Sequence, residues 1–313
     1  MSIQDSADNE NERRVISEFF EELRDTASAL QVLLGNMRSR SVTPEEGLAT
    51  LKRESSNMRS QAQALALPVI KLVTHRLEEY VADLKVVGGG QLDEIQVFVD
   101  RIEKLADGEH VGDSDIPTVV RALPAKRTAD IDFGSLEQKN VEVLLVVPEK
   151  AMSRIVEREL AACGYRTSVV RNPFEALETV VHTKPDMVVA SMELGVLTGV
   201  DLGCALAAMP VTQGIPFGVL TSYNWGHPKL AGLPPRAALI RKGAQFGDDL
   251  AESLARFNIT SIRGHFVGLP ITVAGPALAA FAYFGPLLPE TAEALILLVL
   301  SALMVSTVKV PKL

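Results

Sequence analysis

Between residues 140 and 258, five short apolar runs alternate with segments of helical periodicity, and this alternation limits the fold more than any other feature of the chain. The runs are Val143 to Val147, Thr167 to Val170, Met187 to Ala190, Phe217 to Leu220 and Ala237 to Ile240. Ile155 to Ala162 and Phe174 to Val181 supply helices between them. Such continuously apolar strands read as buried on both faces, which requires a parallel sheet with crossover helices on either side. The expected architecture is a doubly wound α/β sheet of five strands. Chemistry in such sheets gathers where the strands end. The stretch Pro185 to Leu202, PDMVVASMELGVLTGVDL, supplies one such end: its apolar run stops at Ser191, and a Gly-containing loop leads to an amphipathic segment starting at Val200.

That stretch resembles the third strand and following loop of a response-regulator receiver domain, with matching spacing from Pro185-Asp186 through Ser191 to Gly199 and Leu202. The resemblance covers residues 140–258 and implies the flavodoxin-like plan of that family. Receivers hold a divalent metal between an acidic pair after the first strand and an acceptor Asp, while a hydroxyl and a Lys grip the phosphoryl oxygens. Here the acidic pair falls on Val147 and Pro148 with Glu149 next, Ser191 replaces the acceptor, and Thr221 and Lys242 match the hydroxyl and the Lys. Mg²⁺ needs oxygen ligands, normally carboxylates, and at most one remains. A neutral alcohol without a metal is a poor nucleophile toward phosphohistidine. The expectation is a degenerate pocket with no catalytic residue, no metal and no cofactor. Lys242, without its carboxylates, must reach solvent or find an anion, and Glu149 is the expected partner.

The parts that switch a receiver have changed as well. Leu239 stands where the resemblance expects an aromatic, and Gly243 where it expects a Pro. Ser222 to Pro235, SYNWGHPKLAGLPP, is too rich in Gly and Pro to be a regular helix throughout. Trp225, the only Trp, lies there with His227, and it reads either as a partner contact or as a half-buried aromatic on a surface loop.

Residues 13–107 carry four apolar stripes at helical spacing: Ile16 to Met37, Leu48 to Leu65, Ile70 to Leu84 and Leu92 to Ile102. Ser41 to Pro44, Leu67-Pro68 and Gly88 to Gly90 break them, which predicts an antiparallel four-helix bundle. Ala49-Thr50-Leu51-Lys52-Arg53 on the second helix resembles the His-x-hydrophobic-Lys-Gly motif of histidine phosphotransfer domains, with Ala49 in place of the His and Arg53 in place of the Gly. With Leu48 and Leu51 facing the core, Ala49, Lys52, Arg53 and Ser56 share an outward flank. That flank is a candidate docking surface, the alternative being a solvated face of a generic bundle. His75, on the next helix, is the nearest spare imidazole.

The remaining segments are simpler to read. Residues 1–12 are acidic and polar and predict a disordered lead-in rather than a secretion signal. Residues 108–139 mix Gly, Pro, Asp and Lys and predict a linker belonging to neither neighbour. From 259 to 313 two apolar runs, Phe266 to Leu288 and Ala294 to Val308, flank the acidic turn Pro289 to Glu293. The first is long enough at about 1.5 Å per residue to span a hydrocarbon core of about 30 Å. Arg256, Arg263, Lys309 and Lys312 lie at the outer ends, so the positive-inside rule predicts a transmembrane hairpin in the inner membrane with both termini and the soluble domains cytoplasmic. Pro270, Pro276 and Pro286 leave a re-entrant hairpin as the alternative, and small residues such as Ala279 and Ala280 allow helix packing between copies in a homo-oligomer.

A net charge of −8 without a basic run excludes a nucleic-acid surface. Cys163 and Cys204 lack metal-ligand spacing and are expected as ordinary packed thiols. The expectation is a non-enzymatic, membrane-anchored signalling adaptor of the two-component type. Its partners would be a histidine kinase, a phosphotransfer protein or a response regulator, together with membrane lipid. The alternative is a self-associating scaffold or localisation factor.

Overall fold

The computed structural model describes residues 3–84, 87–126, 140–243, 245–256, 265–267 and 309–311. Four helices come first: α1 (Ile3–Arg38), α2 (Pro44–Ala64), α3 (Pro68–Ala82) and α4 (Gly89–Ala106). α1 packs chiefly on α4 and α2 on α3, around a core that includes Phe19, Leu23, Leu30, Leu51, Leu77, Ile95, Phe98 and Ile102. The entry to α2 is set by local chemistry. Pro44 occupies the first helical turn, where its missing N–H is not needed, and Thr43 and Glu46 form a reciprocal capping box. α1 begins at Ile3.

The segment expected as a linker contains a further helix, α5 (Ile116–Ala122). Its Ile116 and Val120 are buried against Leu72 of α3, and Arg121 reaches Asp186 at 3.1 Å and the Lys184 carbonyl at 3.0 Å. α5 therefore ties the bundle to the domain that follows. The second half of the expected linker, 127–139, lies outside the described residues.

That following domain is the expected α/β fold. Strands β1 (Glu142–Val146), β2 (Arg166–Val170), β3 (Met187–Ser191), β4 (Phe217–Thr221) and β5 (Ala238–Arg241) pair in parallel in the order β2-β1-β3-β4-β5. Helices α6 (Lys150–Ala162), α7 (Pro173–Thr183), α8 (Gly199–Ala208) and α9 (Phe246–Arg256) make the crossovers and the final layer. Between β4 and β5 the helix is reduced to a single 3₁₀ turn, Pro228–Leu230, as the Gly and Pro content predicts. Alternate strand residues feed two cores. Leu144, Val146, Val188, Ala190 and Val219 face the side of α8, and Val143, Leu145, Met187, Val189 and Ile240 the side of α6 and α9. Cys163 and Cys204 are exposed free thiols, not packed ones, because each lies on the solvent side of its helix or helix end.

Met1–Ile259 form one compact unit and Thr260–Leu313 a second. In the second unit β6 (His265–Val267) pairs antiparallel with β7 (Lys309–Pro311). The remainder of the hairpin expected over 259–313 lies outside the described residues, and among the described residues no helix is long and apolar enough to cross a membrane.

Candidate functional site

The C-terminal lip of the sheet collects the residues that the resemblance marks. Ser191 ends β3 in register with Leu220 and is fully buried, and its hydroxyl has no hydrogen-bond partner. Val147 is fully buried after β1, Pro148 is half-buried, and Glu149 is the exposed residue preceding α6. Thr221 is 1% exposed, and its hydroxyl accepts from the Tyr223 N–H at 3.1 Å. Gly199 packs so closely on the end of β3 that a Cβ there would lie 2.5 Å from the Ser191 carbonyl oxygen. The lip is thus a closed, mostly apolar floor. Among the described residues no three His, Cys, Asp or Glu side chains gather to hold a metal.

The expected Glu149–Lys242 pair is not formed. Lys242 follows β5, its backbone N–H bonded to the Thr221 carbonyl at 2.8 Å, and among the described residues nothing pairs with its half-buried ammonium. Glu149 stays in solvent at the start of α6. The neighbouring Arg241 takes the ion pair instead: it grips Asp249 of α9 through two side-chain bonds of 2.6 and 2.7 Å, and this holds the Asp249 carboxyl below its ordinary range.

On α2, Ala49 and Arg53 are exposed and Lys52 and Ser56 half-buried, with Leu48, Leu51 and Ser55 inside. Trp225 is 63% exposed. Its loop is shaped by contacts the sequence did not announce. Tyr223 stacks on His227 with ring centroids 4.0 Å apart, and Lys229 bonds the Tyr223 hydroxyl at 2.9 Å. The indole is left exposed to solvent.

A second site, where the bundle meets the sheet, had no signal beyond a polar stripe on α3. β2 is an edge strand, and an uncovered edge leaves backbone groups unpaired. Side chains of α3 cover it. His75 Nε2 meets the Val169 carbonyl at 3.2 Å, Arg76 donates to the Thr167 carbonyl at 3.3 Å, and Glu79 accepts from the Val169 N–H at 2.5 Å. Arg76 also pairs with Glu142 of β1, and Lys71 pairs with Glu178 of α7 at 2.6 Å. Lys126 joins Asp83 to Glu157 of α6 at 2.9 and 2.6 Å. His75 is therefore turned into this seam instead of offering an accessible imidazole. Burial lowers its pKa to about 4, and burial raises that of Glu79 to about 7. Beside them lies a cavity of about 330 Å³.

No protein-family model matches the chain, and no curated protein matches it. Among solved structures it is similar to the receiver domain of the sensor histidine kinase PA1611 from Pseudomonas aeruginosa, with a TM-score of 0.35 and 17% identity over 39% of this chain and 99% of that one. It is also similar to the chemotaxis response regulator CheY4 of Vibrio cholerae, at 0.34 and 18% over 37% and 98%. A third is the signal receiver domain of a signal transduction histidine kinase from Syntrophus aciditrophicus, at 0.34 and 24% over 37% and 89%. The parallel strand order β2-β1-β3-β4-β5 is that of the flavodoxin-like doubly wound plan.

Proposed function

We propose that the chain is a two-component signalling adaptor that binds a histidine kinase, a phosphotransfer protein or a response regulator without passing on a phosphoryl group. The observation that carries this reading is Ser191: the residue at the acceptor position is neutral, fully buried and without a polar partner. Val147 and Pro148 offer no charge beside it, and among the described residues Lys242 has no carboxylate partner. The helical bundle is histidine phosphotransfer-like in this reading, with Ala49, Lys52, Arg53 and Ser56 as a docking flank and Trp225 as a second contact. Residues 259–313 anchor it in the inner membrane, with its folded parts on the cytoplasmic side. No enzymatic activity is assigned.

The test is binding of the full chain to purified sensor kinases and regulators, run beside transfer of labelled phosphoryl from each kinase. Stable binding without label on the chain supports the adaptor. Label on the chain overturns it, and binding only to copies of itself favours the scaffold.

A further inference from the structure

The bundle and the sheet domain meet along a seam that neither core crosses. Among the described residues each buried apolar cluster lies wholly on one side: one in the four helices with Leu123, one between α3 and α5, and two in the sheet and its helices. What joins the two bodies is charge, and the charge is polarised. Arg59, Lys71, Arg76, Arg121 and Lys126, all on the bundle's side of the seam, meet carboxylates of the sheet domain. One pair, Asp83 with Arg154, runs the other way. Such a joint parts more readily than a shared core, because ions regain their hydration when the faces separate whereas apolar surface loses by exposure. Unmet hydrogen-bonding atoms weaken it further. His75 Nδ1, Glu142 Oε2 and Arg166 Nε are buried there without a hydrogen bond, and the cavity of the seam adjoins His75.

We infer that α3 is a releasable cover on β2: when the charges of the seam are screened, the bundle parts from the sheet with both cores intact and uncovers the β2 edge and His75. The register with β1 turns the backbone groups of Thr167 and Val169 outward. Three of those groups, the Thr167 carbonyl, the Val169 carbonyl and the Val169 N–H, are held by α3 side chains. They are the groups that an added strand would use, so the cover keeps this edge from pairing with another chain until it is released. The Val169 amide reports the opening, since Glu79 of the cover is what binds it.

Single-residue hydrogen exchange of the full chain in detergent, read by mass spectrometry, tests this. Raising salt from about 0.1 M to about 1 M cuts the screening length from about 10 Å to about 3 Å. Val169 should then exchange about tenfold faster as re-docking loses its electrostatic attraction, while Leu145 of β1 and Val189 of β3 stay within about twofold. Over the same range, acylation of the His75 imidazole by an added reagent should rise with Val169 exchange. Lys71→Glu should open the seam at low salt, and adding Glu178→Lys should close it again, both read at Val169. Val169 exchange that ignores salt, or that rises only together with Leu145 and Val189, would overturn the cover, as would failure of the reversed pair to restore protection.

Discussion

Arg76 of α3 and Glu142 of β1 form an ion pair in which the arginine side chain is 9% exposed and the glutamate 2%. The two residues belong to what would otherwise be separate folds, a helical bundle and a doubly wound parallel sheet. A guanidinium placed there must be paired, so the sequence of α3 commits the bundle to the sheet edge. The pairing leaves the outer flank of α2 and the Trp225 loop exposed, while His75 is enclosed.

Removing one partner of this pair strands the other. Arg76→Ala should lower unfolding stability by about 3–5 kcal/mol, whereas Arg76→Met combined with Glu142→Leu should restore much of the loss. Urea unfolding of the single and double variants measures both. Equal losses in the single and double variants would mean that pairing is irrelevant.

His75 and Glu79 should give the seam an unusual pH response. Glu79 titrates near 7 folded against 4.5 ordinarily, so its contribution is fullest below 4.5 and is lost as pH rises to 7. His75 titrates near 4 folded against 6.5 ordinarily, so its contribution is lost as pH falls from 6.5 to 4. The two slopes oppose one another and cancel between 4.5 and 6.5, where a neutral pair in the seam replaces a charged pair in the opened chain. The advantage of Glu79→Gln over the parent should grow from pH 4.5 to 7 and then level off. That of His75→Gln should shrink from pH 4 to 6.5. Denaturant unfolding across pH reads both differences, with other titrating groups cancelling between variant and parent.

Ser191 should be dispensable. Its hydroxyl is buried without a partner, so Ser191→Ala should change stability by no more than about 1 kcal/mol and leave partner binding intact. Ser191→Asp puts a carboxylate on that floor and should destabilise the sheet domain without creating an acid-labile phosphoryl adduct after exposure to a small-molecule phosphodonor. Melting curves and mass spectrometry of the treated protein check the two halves.

The docking surfaces should separate binding from folding. Trp225→Ala, at an exposed position, and Lys52→Glu with Arg53→Glu should leave the melting temperature within about 2 °C of the parent. Each should weaken a two-component partner by about tenfold or more in a surface-binding assay.

The sheet was legible because strand burial writes itself locally: Met187 to Ala190 is apolar at every position, and Ser191 ends it. The cap at Thr43 and Glu46 was equally local. The seam was not legible, since Lys71, His75, Arg76 and Glu79 make a polar stripe of the kind a solvated helix face shows, and only the edge of β2 against it turns that stripe inward. α5 was lost because seven residues with a Pro at the second carry too little period to detect. The Glu149–Lys242 pair failed for a related reason. Adjacency on a lip does not fix side-chain reach, and solvent competes for an exposed carboxylate.

Photocrosslinking in native membranes, with a reactive amino acid at position 53 or 225 and the adducts identified by mass spectrometry, tests the central claim most directly. The account predicts adducts to a histidine kinase, a phosphotransfer protein or a response regulator from at least one of these positions, and none from a control site on the covered face of α3. Adducts only to copies of the chain itself, or to proteins with no phosphorelay module, would contradict it.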